Sequence, residues 1–257
     1  MSRLRSWALI RHEMKALRDD PGSIVFLLIM PLLMMGLMKP LFGLSLQAEG
    51  FLTANGAEQA VPGMAAMFAT FTGSFAGFTF FREHGWHTWD RLRASQATTL
   101  DIMVGKLTPT LVIAVVQMSV LFGLGVVLFD LVISGSLVAL SLIVLAFSIS
   151  MLSFGMAIMS LTRTSLQLNT YVNLAGIVFA GVGGALVPLA VLPAWVQTAA
   201  RFTPTYWAMD GFLDVILAGA GISDVVVATM VLLVFTGVFT AVAAARFRLE
   251  ESKVYVA

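Results

Sequence analysis

The chain has 257 residues, of which 59 % are hydrophobic and 11 % charged, with a net charge of +1. Soluble globular domains carry about 25 % charged residues, so charges this sparse cannot cover a water-facing surface, and lipid must solvate most of the chain. There are no cysteines, which excludes disulfides, thiolate metal sites and a cysteine nucleophile.

Residues 3–18 read as an amphipathic helix lying in a membrane interface. Leu4, Trp7, Ile10, Met14 and Leu17 recur at three- and four-residue spacing, and Arg3, Arg5, Arg11, His12, Lys15 and Arg18 fall mostly off that stripe. The stretch mixes charges and lacks the short apolar core and small-residue cleavage site of a signal peptide. Asp19-Asp20-Pro21 ends it, since the residue before a proline disfavours helix.

A helix needs about 20 apolar residues to cross a hydrocarbon core of roughly 30 Å. Six stretches qualify: 23–44, 61–81, 107–129, 137–161, 170–189 and 225–245. Span one carries a line of Met30, Met34 and Met38, read as adaptable packing, and Lys39 near its outer end, placed to snorkel. Span two carries Ala65, Ala69, Gly73 and Gly77 at strict four-residue spacing. Such a ladder lets helix backbones approach closely. The other side of that span carries Phe68, Phe71, Phe75 and Phe78, which face either lipid or a translocation path.

Residues 82–106 form the largest segment on the side that also holds the N-terminus. His84 and His87 there are three apart, but no third metal ligand accompanies them, and they read as surface histidines. Few polar groups lie in the later spans: Gln117, Ser148, Ser150, Ser153 and Asn173. Each is expected to tie helices together, with Asn173 the best placed to touch a cargo because it shares span five with Gly176, Ala180 and Gly184. Those glycines repeat the small-residue theme, either within one chain or across a dimer. Residues 190–224 are too polar to span. They read as two short helices broken at Pro204, an interfacial cap or a partly re-entrant gate, with Trp195, Tyr206 and Trp207 at headgroup depth.

Thirteen of the fifteen Lys and Arg residues fall on one side of this arrangement, leaving only Lys39 and Arg201. The positive-inside rule then predicts six spans with both termini in the cytoplasm. No span has an ionisable residue near its middle. That argues against an ion-coupled transporter, which needs such a group to carry the coupling, and places any energy source elsewhere. Gly105-Lys106 is followed by Leu and lacks the upstream glycine of a nucleotide-binding loop. No H-E-x-x-H, G-x-S-x-G or paired-carboxylate set appears, so an enzyme is the weaker class.

The run Arg82-Glu83-His84-Gly85 through Trp89-Asp90-Arg91-Leu92-Arg93-Ala94-Ser95, followed by Gly105-Lys106, resembles the signature of ABC-2-type permeases. Leu192-Pro193-Ala194-Trp195 through Pro204, Tyr206, Trp207 and Asp210-Gly211 is similar to their outer-loop motif, and Arg18-Asp19 closes a matching N-terminal helix. Departures are Phe81 for the first Glu, Trp86-His87-Thr88 in place of a Gly-Thr pair, and Gln96 where Pro often stands. The resemblance implies an all-α, six-span permease that works as a dimer with itself or a paralogue. It also implies two copies of a separate ABC ATPase, which would bind ATP and Mg. This chain would hold no cofactor and no nucleic acid. Trp7, Arg11, Glu83, Arg91, Arg93 and Lys106 would couple to the ATPase, while Phe68, Phe71, Phe75, Phe78 and Asn173 would line the cargo path. Pro193, Trp195, Pro204, Tyr206 and Trp207 would gate its outer end. The expected activity is export of an amphipathic or hydrophobic small molecule across the plasma membrane. The alternatives are a lipid-linked glycan as cargo, or a non-transporting scaffold.

Overall fold

A computed structural model describes residues 21–48, 50–86, 88–94 and 98–246. The expected interfacial helix, with Trp7 and Arg11, and the residues after Arg246 lie outside them. The described residues form α1 (Pro21–Ala48), α2 (Ala57–Gly85), the short α3 (Trp89–Arg93), α4 (Thr99–Phe129), α5 (Leu137–Leu161) and α6 (Ser165–Val182). A 3₁₀ turn (Leu189–Val191), α7 (Ala194–Ala200), α8 (Pro204–Leu217) and α9 (Val226–Arg246) follow. The protein is an all-α polytopic membrane protein. Helices α1, α2, α4, α5 and α9 are long and apolar enough to cross a bilayer. The α3 end of the bundle is distinguished below from the far end, which holds α7 and α8.

Local chemistry sets the helix boundaries. Thr98 and Asp101 form a reciprocal capping box that starts α4 two turns ahead of its apolar core. Ser136 caps α5, Thr164 caps α6 through the Gln167 N–H, and Thr203 caps α8 with Pro204 in its first turn. Six spans were expected; the stretch expected as the fifth, 170–189, is instead the 18-residue helix α6, Ser165–Val182, which is not among those five. It starts at the Thr164 cap and stops where Gly184 turns left-handed (φ +87), letting the N–H groups of Ala185 and Leu186 both bond the Ala180 carbonyl. The apolar residues Ala185, Leu186, Val187 and Leu189 continue past that break, which is why hydropathy alone overshoots it.

Helix α2 is the hub, packed against α1, α4, α5, α6 and α8. It can approach them because its small residues face them. Ala65 and Ala69 are fully buried, and a Cβ on Gly73 would strike the Met151 carbonyl of α5. A Cβ on Gly77 would lie 2.9 Å from Met159 of α5 and 2.8 Å from Leu168 of α6, and one on Gly176 would lie 2.8 Å from the Phe71 ring. The ladder expected to serve packing or a dimer therefore closes contacts inside one chain. Two apolar cores result. One lies toward the far end around Val61, Met64, Phe122, Ile143, Phe147 and Phe212, and the other toward the α3 end around Phe80, Phe81, Trp89, Ile102, Met159 and Leu168.

At the far end, Lys39 meets the end of α4. Its ammonium donates to the Phe129 carbonyl at 2.7 Å and lies 3.8 Å from the Asp130 carboxylate. The Asn55 carboxamide donates to the carbonyl of Asp130 at 3.2 Å. These groups satisfy the bare carbonyls at the end of α4 and place a cation at its negative pole. The knot joins α1, the loop before α2 and α4.

Adding a single methyl at the hub should be costly. Gly73→Ala is expected to lower stability by about 1–3 kcal/mol, because the obstacle is backbone rather than a yielding side chain. The check is the thermal unfolding midpoint of the purified protein in detergent, with Gly123→Ala, which meets open space, as the control.

Candidate functional site

The Phe stripe, the Met line and Asn173, which lie far apart in sequence, meet in one groove between α1, α2 and α6. It encloses about 540 Å³ and is lined by Leu27, Met30, Met34, Met38, Met64, Met67, Phe68, Phe71, Phe75, Phe78, Asn169, Asn173 and Leu186. The lining is apolar except for two carboxamides one helical turn apart. Asn173 donates to the Asn169 side-chain oxygen at 2.9 Å. Each amide offers two donors and an acceptor, so the pair keeps hydrogen-bonding capacity for something in the groove. The register follows from the close contacts: Gly176 meets Phe71 and Leu168 meets Gly77. The Asn pair thus stands level with Phe75 and Phe78, toward the α3 end, while the half toward the far end is walled by Met and Leu. Phe68 and Phe71 pack edge to face at 5.7 Å, and methionines opposite them form a wall that re-shapes easily.

Asn169, Met64 and Met67 were not singled out from the sequence. Asn169 falls one residue before the apolar window that marks span five, yet its i−4 relation to Asn173 is the signal that finds it.

At the α3 end, Glu83 and Lys106 are not surface groups. Their side chains are 7 % and 1 % exposed and pair at 2.8 Å. Lys106 also donates to the Thr79 carbonyl at 3.3 Å and lies 5.6 Å from the Phe80 ring centre, while Thr88 bonds the other Glu83 oxygen. This pair bolts the end of α2 to the start of α4. His84, expected at the surface, is half buried: its ring stacks on Trp89 at 4.7 Å and Nδ1 bonds the Phe80 carbonyl at 2.9 Å. That stack folds α3 back against α2. Arg91 stands exposed on α3, Arg82 lies over the exposed Trp86 ring at 4.9 Å, and Arg93 lies on the same short helix as Arg91. The elbow is therefore a braced interior with a basic, aromatic exterior. His87 lies outside the described residues.

At the far end, α7 and α8 lean on the mouth of the bundle. Phe212 of α8 meets Phe122 of α4 at 5.2 Å, and Gly211 meets Ile143 of α5. Those partners lie six or seven residues inside their helix ends, so α8 dips about 10 Å into the bundle. Backbone bonds from Ser134 to Ile216 (3.3 Å) and from Ser136 to Ala220 (3.1 Å) tie it to the α4–α5 loop. The Gln59 amide of α2 donates to the Gly184 carbonyl at 2.7 Å, and Gly63 leaves room for the Ala185 carbonyl. Pro193 precedes α7, Trp195 is 74 % exposed, and Tyr206 and Trp207 pack edge to face at 5.2 Å with the Trp207 indole N–H on the Arg201 carbonyl.

Helix α2 is thus flanked by a braced elbow at one end and by the short helices α7 and α8 at the other. The sequence profile described as "ABC-2 type transporter" matches residues 5–217. The chain belongs to the ABC-2 type transporter family. It is 27 % identical over 195 residues to the linearmycin resistance permease protein LnrN of Bacillus subtilis, covering 76 % of this chain and 50 % of that protein. It is 27 % identical over 169 residues to the "Probable multidrug ABC transporter permease YbhR" of Escherichia coli, covering 65 % and 45 %. This ABC-2 chain spans about half the length of the curated relatives it matches.

Breaking the elbow's ion pair should cost more than removing it. Lys106→Met leaves Glu83 buried without its main counter-charge and is expected to destabilise by about 3–5 kcal/mol. The double variant Lys106→Met/Glu83→Met should recover much of that loss, read as a double-mutant cycle of unfolding midpoints.

Proposed function

We propose that this chain is the membrane subunit of an ATP-driven exporter that moves an amphipathic or hydrophobic small molecule out of the cell. The observation that carries the reading is the groove: apolar walls, a hydrogen-bonding pair toward the α3 end, and no ionisable side chain among its lining residues. A gradient-driven carrier needs a titratable or charged group facing its path, so the driving force is assigned to a partner. The family supports a separate ATPase, which would bind ATP and Mg. The linearmycin-resistance and multidrug relatives support a drug-like cargo.

In this reading the α3 end faces the cytoplasm of a plasma-membrane protein, in keeping with the basic residues gathered there. Two ATPase copies dock on the elbow exteriors. Arg91, Arg93 and the interfacial residues Trp7 and Arg11 supply the contacts, and the Glu83–Lys106 brace passes the push to α2 and α4 together. A second permease copy or a paralogue closes the groove side, and cargo passes between them. Helices α7 and α8, with Pro193, Trp195, Pro204, Tyr206 and Trp207, gate the exit. ATP binding acts by favouring one arrangement of these elements over another.

The test is ATP turnover by the complex reconstituted in liposomes with its ATPase. Uncharged amphiphiles should stimulate it, and Phe71→Ala should raise the half-stimulating concentration about tenfold, the equivalent of roughly 1.4 kcal/mol of lost contact. Arg91→Glu should release the ATPase in co-purification while membrane insertion is unchanged. No stimulation by any amphiphile, or cargo movement by the permease alone on an ion gradient, would sink the proposal.

A further inference from the structure

A proline inside a helix gives no N–H to the carbonyl four residues earlier. Pro31 lies within α1, so the carbonyl left without its helical donor is that of Leu27. This residue is 6 % exposed, in a region where water is scarce and an unmet carbonyl is expensive. Gln117 of α4, 4 % exposed, meets the need: its Nε2 donates to the Leu27 oxygen at 3.1 Å. The carboxamide's other end accepts from the hydroxyl of Thr72 on α2, whose single proton is shared with the Phe68 carbonyl of its own helix at 3.1 Å. One side chain thereby links the break in α1 to the helix that carries the Phe stripe.

The consequence lies in the groove. Met30, Met34 and Met38 straddle and follow the break, and Phe68, Phe71 and Phe75 flank Thr72 in sequence. Helix α1 exposes most of its length, and its polar tie to α4 at the far end is Lys39. A wall held at one end and interrupted by a proline takes its direction from whatever holds the break.

We infer that Gln117 is a positioning residue that fixes the angle of α1 at Pro31 and so sets the width of the groove and the girth of the molecule it admits. This rests on the groove being the cargo path. The chemistry is specific to a carboxamide of this length: a leucine offers no donor, an ionised glutamate cannot donate to Leu27, and an asparagine is too short to span both partners.

The chain has no cysteines, so spin labels at Met38→Cys and Asn173→Cys report the distance across the groove in the reconstituted complex. Gln117→Leu should broaden that distance distribution and lower the unfolding midpoint by about 5 °C. The half-stimulating concentration ratio of a thin to a bulky uncharged amphiphile, read in the unlabelled complex, should change about fivefold, roughly 1 kcal/mol, with basal turnover kept. Adding Pro31→Ala supplies the missing N–H. It should restore the midpoint and a narrow distribution while leaving the size preference altered, because α1 is straightened. Gln117→Asn should behave as Gln117→Leu. If Gln117→Leu does not assemble, Thr72→Val, which removes only the bond that orients the carboxamide, carries the same measurements. An unchanged distribution, or a destabilisation that Pro31→Ala does not rescue, overturns the inference. The distance and midpoint need no cargo. Silence of every variant toward every amphiphile would therefore count against the exporter reading and leave the clamp to be judged on its own.

Discussion

The structure depends on how closely other backbones can come to α2. In a lipid solvent, burying apolar side chains gains little over leaving them in the acyl phase, so helices are held by close van der Waals fit and by hydrogen bonds between them. Gly63, Gly73 and Gly77 supply that fit, admitting the 185 turn, the α5 backbone and the α5–α6 side chains respectively. With one face of α2 committed to its neighbours, the opposite aromatic face is left to line a groove. The site is a by-product of the packing, and one helix decides both.

Polar groups then fix the ends and the middle. The Glu83–Lys106 pair makes α2 and α4 a single lever at the α3 end, Gln59 latches α2 to the stop after α6, and Lys39 with Asn55 closes the end of α4. Each of these joins α2, or the loop just before it, to something else. Through these ties α2 is linked to both ends of the described bundle.

Much of this was legible in the sequence. Helix α5 coincides with its apolar run at both bounds, because a serine cap begins it and no charged turn extends it. The helices α2 and α4 outrun their apolar cores because Glu58, Gln59, Arg82, Asp101 and Lys106 continue the helix in polar form, which a hydropathy window discards. The Phe stripe, the Met line and Asn173 were visible as three separate features. Their meeting was not, since periodicity gives the face of a helix but not its neighbour. The place of one side chain was misread for a related reason. His84 was placed at the surface by its distance from the span end, whereas the Trp89 ring brought by α3 and the Phe80 carbonyl of its own helix determine where it sits. The partner of Gln117 is a backbone atom, and it could be anticipated only by asking what Pro31 leaves behind.

The short length of α6 has a consequence of its own. Its 18 residues reach about 27 Å, its first turns are polar, and the hydrocarbon of a typical bilayer is roughly 30 Å deep. Lipids beside a spanning helix this short thin or tilt to match, at a cost of a fraction of a kcal/mol for each ångström of mismatch. In the exporter reading such a pinch falls on the flank of the groove that bears the two asparagines, and a polar head entering from the α3 side would cross a shallower oily layer there. On that reading the acyl-chain length of the host membrane bears on how readily the groove is filled.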